Sequence, residues 1–222
     1  MNPLAKKKNG FTVVELMVTI AILAIINTVV FLNYPALREN INLKRTAEEM
    51  AVIIKQEQSD ALNVRRLDDP NNNNPNYNPF LGIYGVHFNS SNNNTFVLFA
   101  DNGVNINGNN NNNRYVNTGG NICKNNKPEC VQEYQINNGI TISNLEVSQD
   151  GISYYVCNNN KLNIIFTRAK VLAQITDSNG SSTFGCGPSP SITPSVVKIV
   201  LNSPSGKIKT IEVWVNGQVS IK

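Results

Sequence analysis

Apolar and polar positions follow three successive patterns along this chain. From Phe11 to Leu32 the chain is apolar along its whole length, and Glu15 is the only formal charge. That stretch has about the length an α-helix needs to cross a hydrocarbon core of roughly 30 Å, so it reads as one membrane span. Further on the period changes. Ala47, Met50, Ala51, Ile54, Ala61 and Leu62 recur at helical spacing, while Lys44, Arg45, Glu48, Glu49, Lys55 and Glu57 occupy much of the remaining surface. This predicts an amphipathic helix over 35–66 that packs on the chain's own sheet. Pro35 is expected to kink the helix or to mark a boundary at Tyr34. Arg65-Arg66 followed by Asp68-Asp69-Pro70 is expected to end it.

Beyond residue 67 the pattern breaks into short alternating runs. Strands are predicted at Tyr84–Phe88, Thr95–Asp101, Ile140–Ile142, Ile152–Cys157, Leu162–Thr167, Lys170–Ile175 and Val196–Leu201. The last pair, Thr210–Val215 and Gln218–Ile221, flanks Asn216-Gly217, the strongest short-range hairpin signal in the chain. Ser203-Pro204-Ser205-Gly206 reads as another tight connection. Asparagine-rich tracts at 71–78, 92–94, 105–113 and 158–160 cannot bury apolar area and fall on loops. One long helix followed by antiparallel strands is an α+β chain, with 67–222 as a β-rich globular domain.

The start of the chain adds chemistry to this outline. Lys6-Lys7-Lys8 precede Gly10, Phe11 opens the apolar run, and Glu15 lies five residues past the glycine. Lysines without an acid in 1–10 place that end in the cytoplasm and the bulk of the chain outside. A carboxylate inside a span costs of order 3 kcal/mol on insertion scales and calls for a partner.

This arrangement resembles the processing site of type IV prepilins and pseudopilins. The resemblance implies a cleaved leader over 1–10, cutting by a prepilin peptidase between Gly10 and Phe11, and methylation of the new amine on Phe11. It also implies that 11–34 forms a transmembrane and then filament-core helix, with Glu15 as the assembly carboxylate. The implied ammonium partner of Glu15 is the Phe11 amine of a neighbouring subunit, which would fix register more than it adds stability. An ordinary secretory signal is the rival reading, but Tyr34-Pro35-Ala36 is a poor cleavage site for one, and Glu15 sits at the start of the apolar core.

Tyr84–Phe88, Phe96–Asp101, Gly206-Lys207, Thr210–Val213 and Asn216–Val219 are in turn similar to the globular domain of H-type minor pseudopilins and minor pilins. That likeness implies two sheets packed beside the helix, and a low-abundance subunit near a filament tip. The partners implied are a prepilin peptidase, other pilin or pseudopilin subunits and an inner-membrane assembly platform. Before assembly the chain is expected as a single-pass protein of the inner membrane.

Charge and cysteines refine this only locally. The 222 residues carry a formal charge of +4, and without the three leader lysines sixteen basic residues face fifteen acidic ones. From Lys161 onward seven basic residues oppose Asp177 and Glu212, a local +5, whereas 67–160 has three against seven, or −4. The basic region motivates an alternative, a tip subunit that captures DNA during uptake. Cys123, Cys130, Cys157 and Cys186 all fall in the part expected outside, where disulfides persist. Of three connectivities, Cys123 with Cys130 and Cys157 with Cys186 is the preferred one, and a zinc site is disfavoured because no pair has C-x-x-C spacing and His87 is the single histidine.

No phosphate loop, H-E-x-x-H, G-x-S-x-G or dinucleotide fingerprint occurs. No catalytic residue, metal site or cofactor is therefore expected, and an anchored envelope enzyme has no site to point to. His87 is expected to face solvent or a loop. Asp101 and Asp150, each beside turn residues, are expected to form turns rather than a calcium site.

Overall fold

The computed structural model describes residues 10–63, 83–101, 130–156, 161–168, 170–186 and 192–222. The chain forms two compact units, Met1–Ile41 and Asn42–Lys222. A single helix, α1, covers Val13–Asn63. It runs through Pro35 without a break, so of the two expectations for Pro35, a kink or a boundary at Tyr34, the boundary is absent. Proline removes one donor from the ladder, a local loss, whereas starting a second helix would require a new and costly nucleus.

Within the second unit, α1 buries Leu43, Ala47, Met50, Ala51, Ile54 and Ala61. Two assignments are corrected here. Leu62 is 39% exposed, and Glu57, placed on the solvent face by its charge, is buried. Glu57 lies three residues past Ile54 and seven past Met50, so helical geometry puts it on the buried stripe whatever its polarity. Asp60, one step further along that stripe, is also buried and accepts a 2.9 Å hydrogen bond from Gln56 Nε2.

Ten strands follow in chain order: β1 Ile83–Asn89, β2 Thr95–Asp101, β3 Cys130–Gln135, β4 Thr141–Ser148, β5 Tyr155–Val156, β6 Lys161–Thr167, β7 Ala173–Asp177, β8 Val196–Asn202, β9 Ile208–Trp214 and β10 Val219–Ile221. They build two five-stranded sheets, ordered β3-β2-β1-β6-β7 and β10-β9-β8-β4-β5. All recorded pairings are antiparallel. The inner faces of both sheets meet the helix stripe in one core that includes Tyr84, Val86, Phe88, Phe166, Ile199, Leu201 and Val213. The α+β expectation describes this arrangement.

Strand β3 was not foreseen, the run at Ile152–Cys157 contributes only two residues to β5, and β7 begins three residues later than Lys170. The first and the last of these differences have a packing cause. β3 is an edge strand whose Gln132, Glu133 and Gln135 are exposed, so it lacks an apolar pattern. Val171 and Leu172, apolar enough to read as strand, are more than half exposed in the turn before β7.

Turn chemistry also departs from its simplest reading. At the β9–β10 connection Gly217 N donates to Trp214 O at 2.8 Å and Trp214 N to Gln218 O at 2.8 Å, so the loop is three residues, Val215-Asn216-Gly217. Gly217 alone takes positive φ, which is a type I turn closed by a left-handed glycine rather than a two-residue loop. Its bare Cα also admits Gln58 Nε2 and Val171 O, where a Cβ would clash. The two-residue form occurs instead at Asn138-Gly139, both with positive φ, where the chain leaves β3 for the other sheet. Asn92–Asn94 lies on the β1–β2 turn as expected. The tracts at 71–78, 105–113 and 158–160 lie outside the described residues.

Candidate processing and assembly site

The residues around the expected cut differ sharply in backbone state. Gly10, Phe11 and Thr12 are outside regular structure, and α1 starts at Val13. A side chain at Gly10 would meet nothing, and Phe11 is 79% exposed. The Gly10–Phe11 bond is thus an exposed, non-helical peptide directly ahead of a helix, the condition under which a peptidase can bind backbone. Residues 1–9 lie outside the described residues.

Thr12 explains why the helix starts where it does. Its Oγ1 accepts a hydrogen bond from Glu15 N at 3.3 Å, and its carbonyl accepts from Leu16 N at 3.2 Å. Thr12 is therefore the N-cap, and Glu15 is the third helical residue. Thr12-Val13-Val14-Glu15 has the capping-box spacing, a signal for this helix start that the sequence itself carries. Glu15 is exposed in the first turn, where the helix dipole favours a carboxylate.

The span behind this cap presents apolar surface all round. Its large apolar side chains are exposed on every side of the helix, from Leu16 at 54% to Phe31 at 74%, and the most apolar window has no buried residue. The hydroxyls within it are satisfied locally: Thr19 Oγ1 donates to Leu16 O and Thr28 Oγ1 to Ala24 O, both at 2.8 Å. A helix of this kind is stable in lipid or against other apolar helices, not in water. It fits a membrane-anchored subunit.

The other candidates separate from this segment. His87 is buried, contrary to the expectation of solvent, because the outer face of the first sheet is buried as well. Its Nδ1 lies 2.7 Å from Asn163 Oδ1, and Asn163 Nδ2 donates to Thr176 Oγ1 and to Asp177 O. Both amide hydrogens being used, Oδ1 must accept, which assigns the proton to His87 Nδ1. Burial pushes the imidazole pKa down to about 4, against an opposing contribution from Asn163. This is a buried neutral histidine in a polar row, not a general base at the surface.

Asp150 closes a turn, as expected. Its Oδ1 accepts from Ser148 Oγ, Ile152 N and Ser153 N, each at 2.8 Å. The backbone N–H groups of Ser153 and Ile152 hold its carboxyl well below the usual range. Asp101 ends β2. Among the described residues, no three His, Cys, Asp or Glu side chains gather as metal ligands.

The basic carboxy-terminal region is interrupted by pairing. Lys198 binds Glu146 and lies 3.9 Å over the Tyr154 ring, while Lys222 Nζ is 2.9 Å from the buried Glu212 carboxylate. Both cations thus have an acidic partner within the chain. Cys186 is buried and disulfide-bonded, and no described cysteine is free. Cys123 and Cys157 lie outside the described residues, as does the side chain of Cys130, the first residue of β3.

Comparison with known proteins bears on the amino terminus. Residues 5–30 match the family described as the prokaryotic N-terminal methylation motif. The match covers the lysines, Gly10, Phe11 and Glu15, and it supports the type IV pilin and pseudopilin family. No curated protein and no solved structure matches the chain.

Proposed function

We propose that this chain is a minor type IV pilin or pseudopilin, a non-enzymatic subunit inserted in the inner membrane and released into a filament when its leader, 1–10, is cut at Gly10–Phe11. The carrying observation is the junction itself: an exposed, non-helical Gly10–Phe11 bond followed within two residues by a self-capped helix that is apolar on every side. On this reading a prepilin peptidase frees and methylates the Phe11 amine. The helix over 11–34 then exchanges lipid for the spans of other subunits, handed over by the inner-membrane assembly platform. Glu15 pairs with the Phe11 amine of a neighbour, and residues 67–222 are displayed outside. The tip or initiation role rests on the likeness of its strands to H-type minor subunits. Cys123 with Cys130 and Cys157 with Cys186 are the disulfides of this reading.

Mass spectrometry of the amino-terminal peptide tests it, run separately on sheared filaments and on membranes of the native cells. A methylated peptide starting at Phe11 in the filament fraction, far below the principal pilin in amount, is expected. Chains still led by Met1 and confined to membranes beside an active peptidase would overturn the reading. Glu15→Ala is expected to leave cleavage intact and to lower incorporation into filaments; unchanged incorporation would remove the assembly role.

A further inference from the structure

The second unit carries a groove that the filament reading does not use. It has a volume of about 330 Å³ and lies between α1, from Asn42 to Ile53, and the β3 edge with its following turn. At its floor is the end of an aromatic column. Phe88 stacks on Phe96 at 5.7 Å between centroids, and Phe96 stacks on Tyr134 at 5.2 Å and 7°. Phe88 and Phe96 are buried, and Tyr134 is half-buried where the column reaches the groove.

The wall is built for neutral hydrogen bonding. Asn42, Gln135, Asn137 and Asn138 supply amides, each of which both donates and accepts. The one cation in the lining, Arg45, is matched by Glu49 through a 2.7 Å bond from Nε to Oε1. No net charge is left to select a phosphate or an ammonium.

The rim is also rigid. Ile136 N donates to Asn94 O and Ile142 N to Asn93 O, both at 2.7 Å, which ties down the chain on either side of the turn. Between them Asn138 holds φ at 63°, a conformation uncommon for a side-chain-bearing residue, and Gly139 sits where a Cβ would strike Pro204.

We propose that this groove binds a neutral pyranose sugar unit. A pyranose has an apolar C–H face that a flat ring covers, and a rim of hydroxyls that each need a donor and an acceptor. Tyr134 offers the flat amphipathic surface. The four amides and the Arg45–Glu49 pair offer both roles around it. The groove has the size of small-ligand sites, and its lining mixes aromatic and polar residues. This inference stands on the second unit alone and does not depend on the filament reading.

The test uses the full chain in a phosphocholine detergent, which carries no sugar. The probes are methyl glycosides of glucose, galactose, mannose and N-acetylglucosamine, read by saturation-transfer difference NMR. At least one is expected to bind saturably with a Kd in roughly the millimolar range. Tyr134→Ala is expected to weaken that binding by about tenfold or more, a loss corresponding to one good contact. Asn138→Gly removes only an amide and keeps a backbone that glycine tolerates best, so it is expected to weaken binding several-fold with an unchanged melting temperature. If Tyr134→Ala fails to fold, Asn138→Gly and Gln135→Ala decide. No saturable binding by any of the four glycosides would overturn the proposal. So would binding that survives these substitutions, or a groove that takes an acidic oligosaccharide or a peptide while rejecting the neutral sugars.

Discussion

The two halves of α1 have similar local structure and opposite relations to their surroundings. Residues 13–31 expose leucine, isoleucine and valine on every side, with their hydroxyls bonded back to the helix. Residues 43–61 confine burial to one stripe and carry exposed ion pairs on the other side, Lys44 with Glu48 and Arg45 with Glu49. Hydrogen bonding along the backbone does not distinguish them. What differs is the solvent each half is built for: the first requires an apolar medium from outside, and the second carries its own in the form of two sheets.

The sharpest way to break this contrast is the same deletion in both halves. Ile54→Ala removes a fully buried side chain and is expected to cost roughly 3 to 4 kcal/mol in the denaturant unfolding of the globular unit. Leu23→Ala removes one that is 58% exposed, and it is expected to leave that transition in place in the same detergent. A shift from Leu23→Ala comparable to that of Ile54→Ala would show that the span belongs to the same cooperative core.

Protonation places a charge in the interior without any mutation. His87 has its pKa lowered from 6.5 to about 4 by burial, so the unfolded chain takes up the proton first as pH falls. Stability is then fully present above about pH 6.5, declines as pH drops toward 4, and is flat with respect to this group below that. The total is at most roughly 3 kcal/mol. Urea midpoints measured between pH 7 and 4 check it, and a midpoint independent of pH across this window would contradict the buried neutral imidazole.

Gly85→Ala tests the same sheet more locally. The new methyl would lie 2.5 Å from the Phe99 ring and 2.8 Å from Ile164 O, a backbone atom that cannot swing aside. A loss of roughly 1 to 3 kcal/mol is expected in the same unfolding measurement. The smallest effect belongs to the span. Thr12→Ala removes the hydrogen-bond acceptor for Glu15 N, and about 1 kcal/mol of helix-start stability should go with it. Faster amide exchange confined to the first turn is the expected signature, and exchange that does not change would mean that Thr12 is no cap.

Much of this was legible from local pattern. The anchor needs only a run of apolar residues of sufficient length, and the stripe from Ala47 to Ile54 needs only helical period. Strands β1, β2, β6 and β8 are apolar enough to announce themselves within a residue or two. The expected cut at Gly10–Phe11 and the expected role of Glu15 rest on an equally local pattern, a carboxylate five residues past a glycine at the start of an apolar run. Thr12 was equally legible, since its capping role follows from a spacing of three to Glu15.

The rest was decided by partners distant in sequence. β3 is a strand because β2 offers it an edge, from Thr95 opposite Gln135 to Phe99 opposite Cys130, although its own residues are mostly polar. His87 is buried because both faces of the central strand are covered, and it is neutral there because that burial disfavours the charged ring, with Asn163 and Thr176 beside it in register on β6 and β7. Glu57 is buried because its place on the helix outweighs its charge. The Tyr134 groove exists only because the β3 edge lies beside the helix. Sequence by itself determined where this chain is apolar and where it can turn, since those follow from neighbours a few residues apart. Tertiary structure alone decided which strand lies beside which and which polar groups are enclosed, because pairing and burial depend on segments that the chain brings together only when it folds.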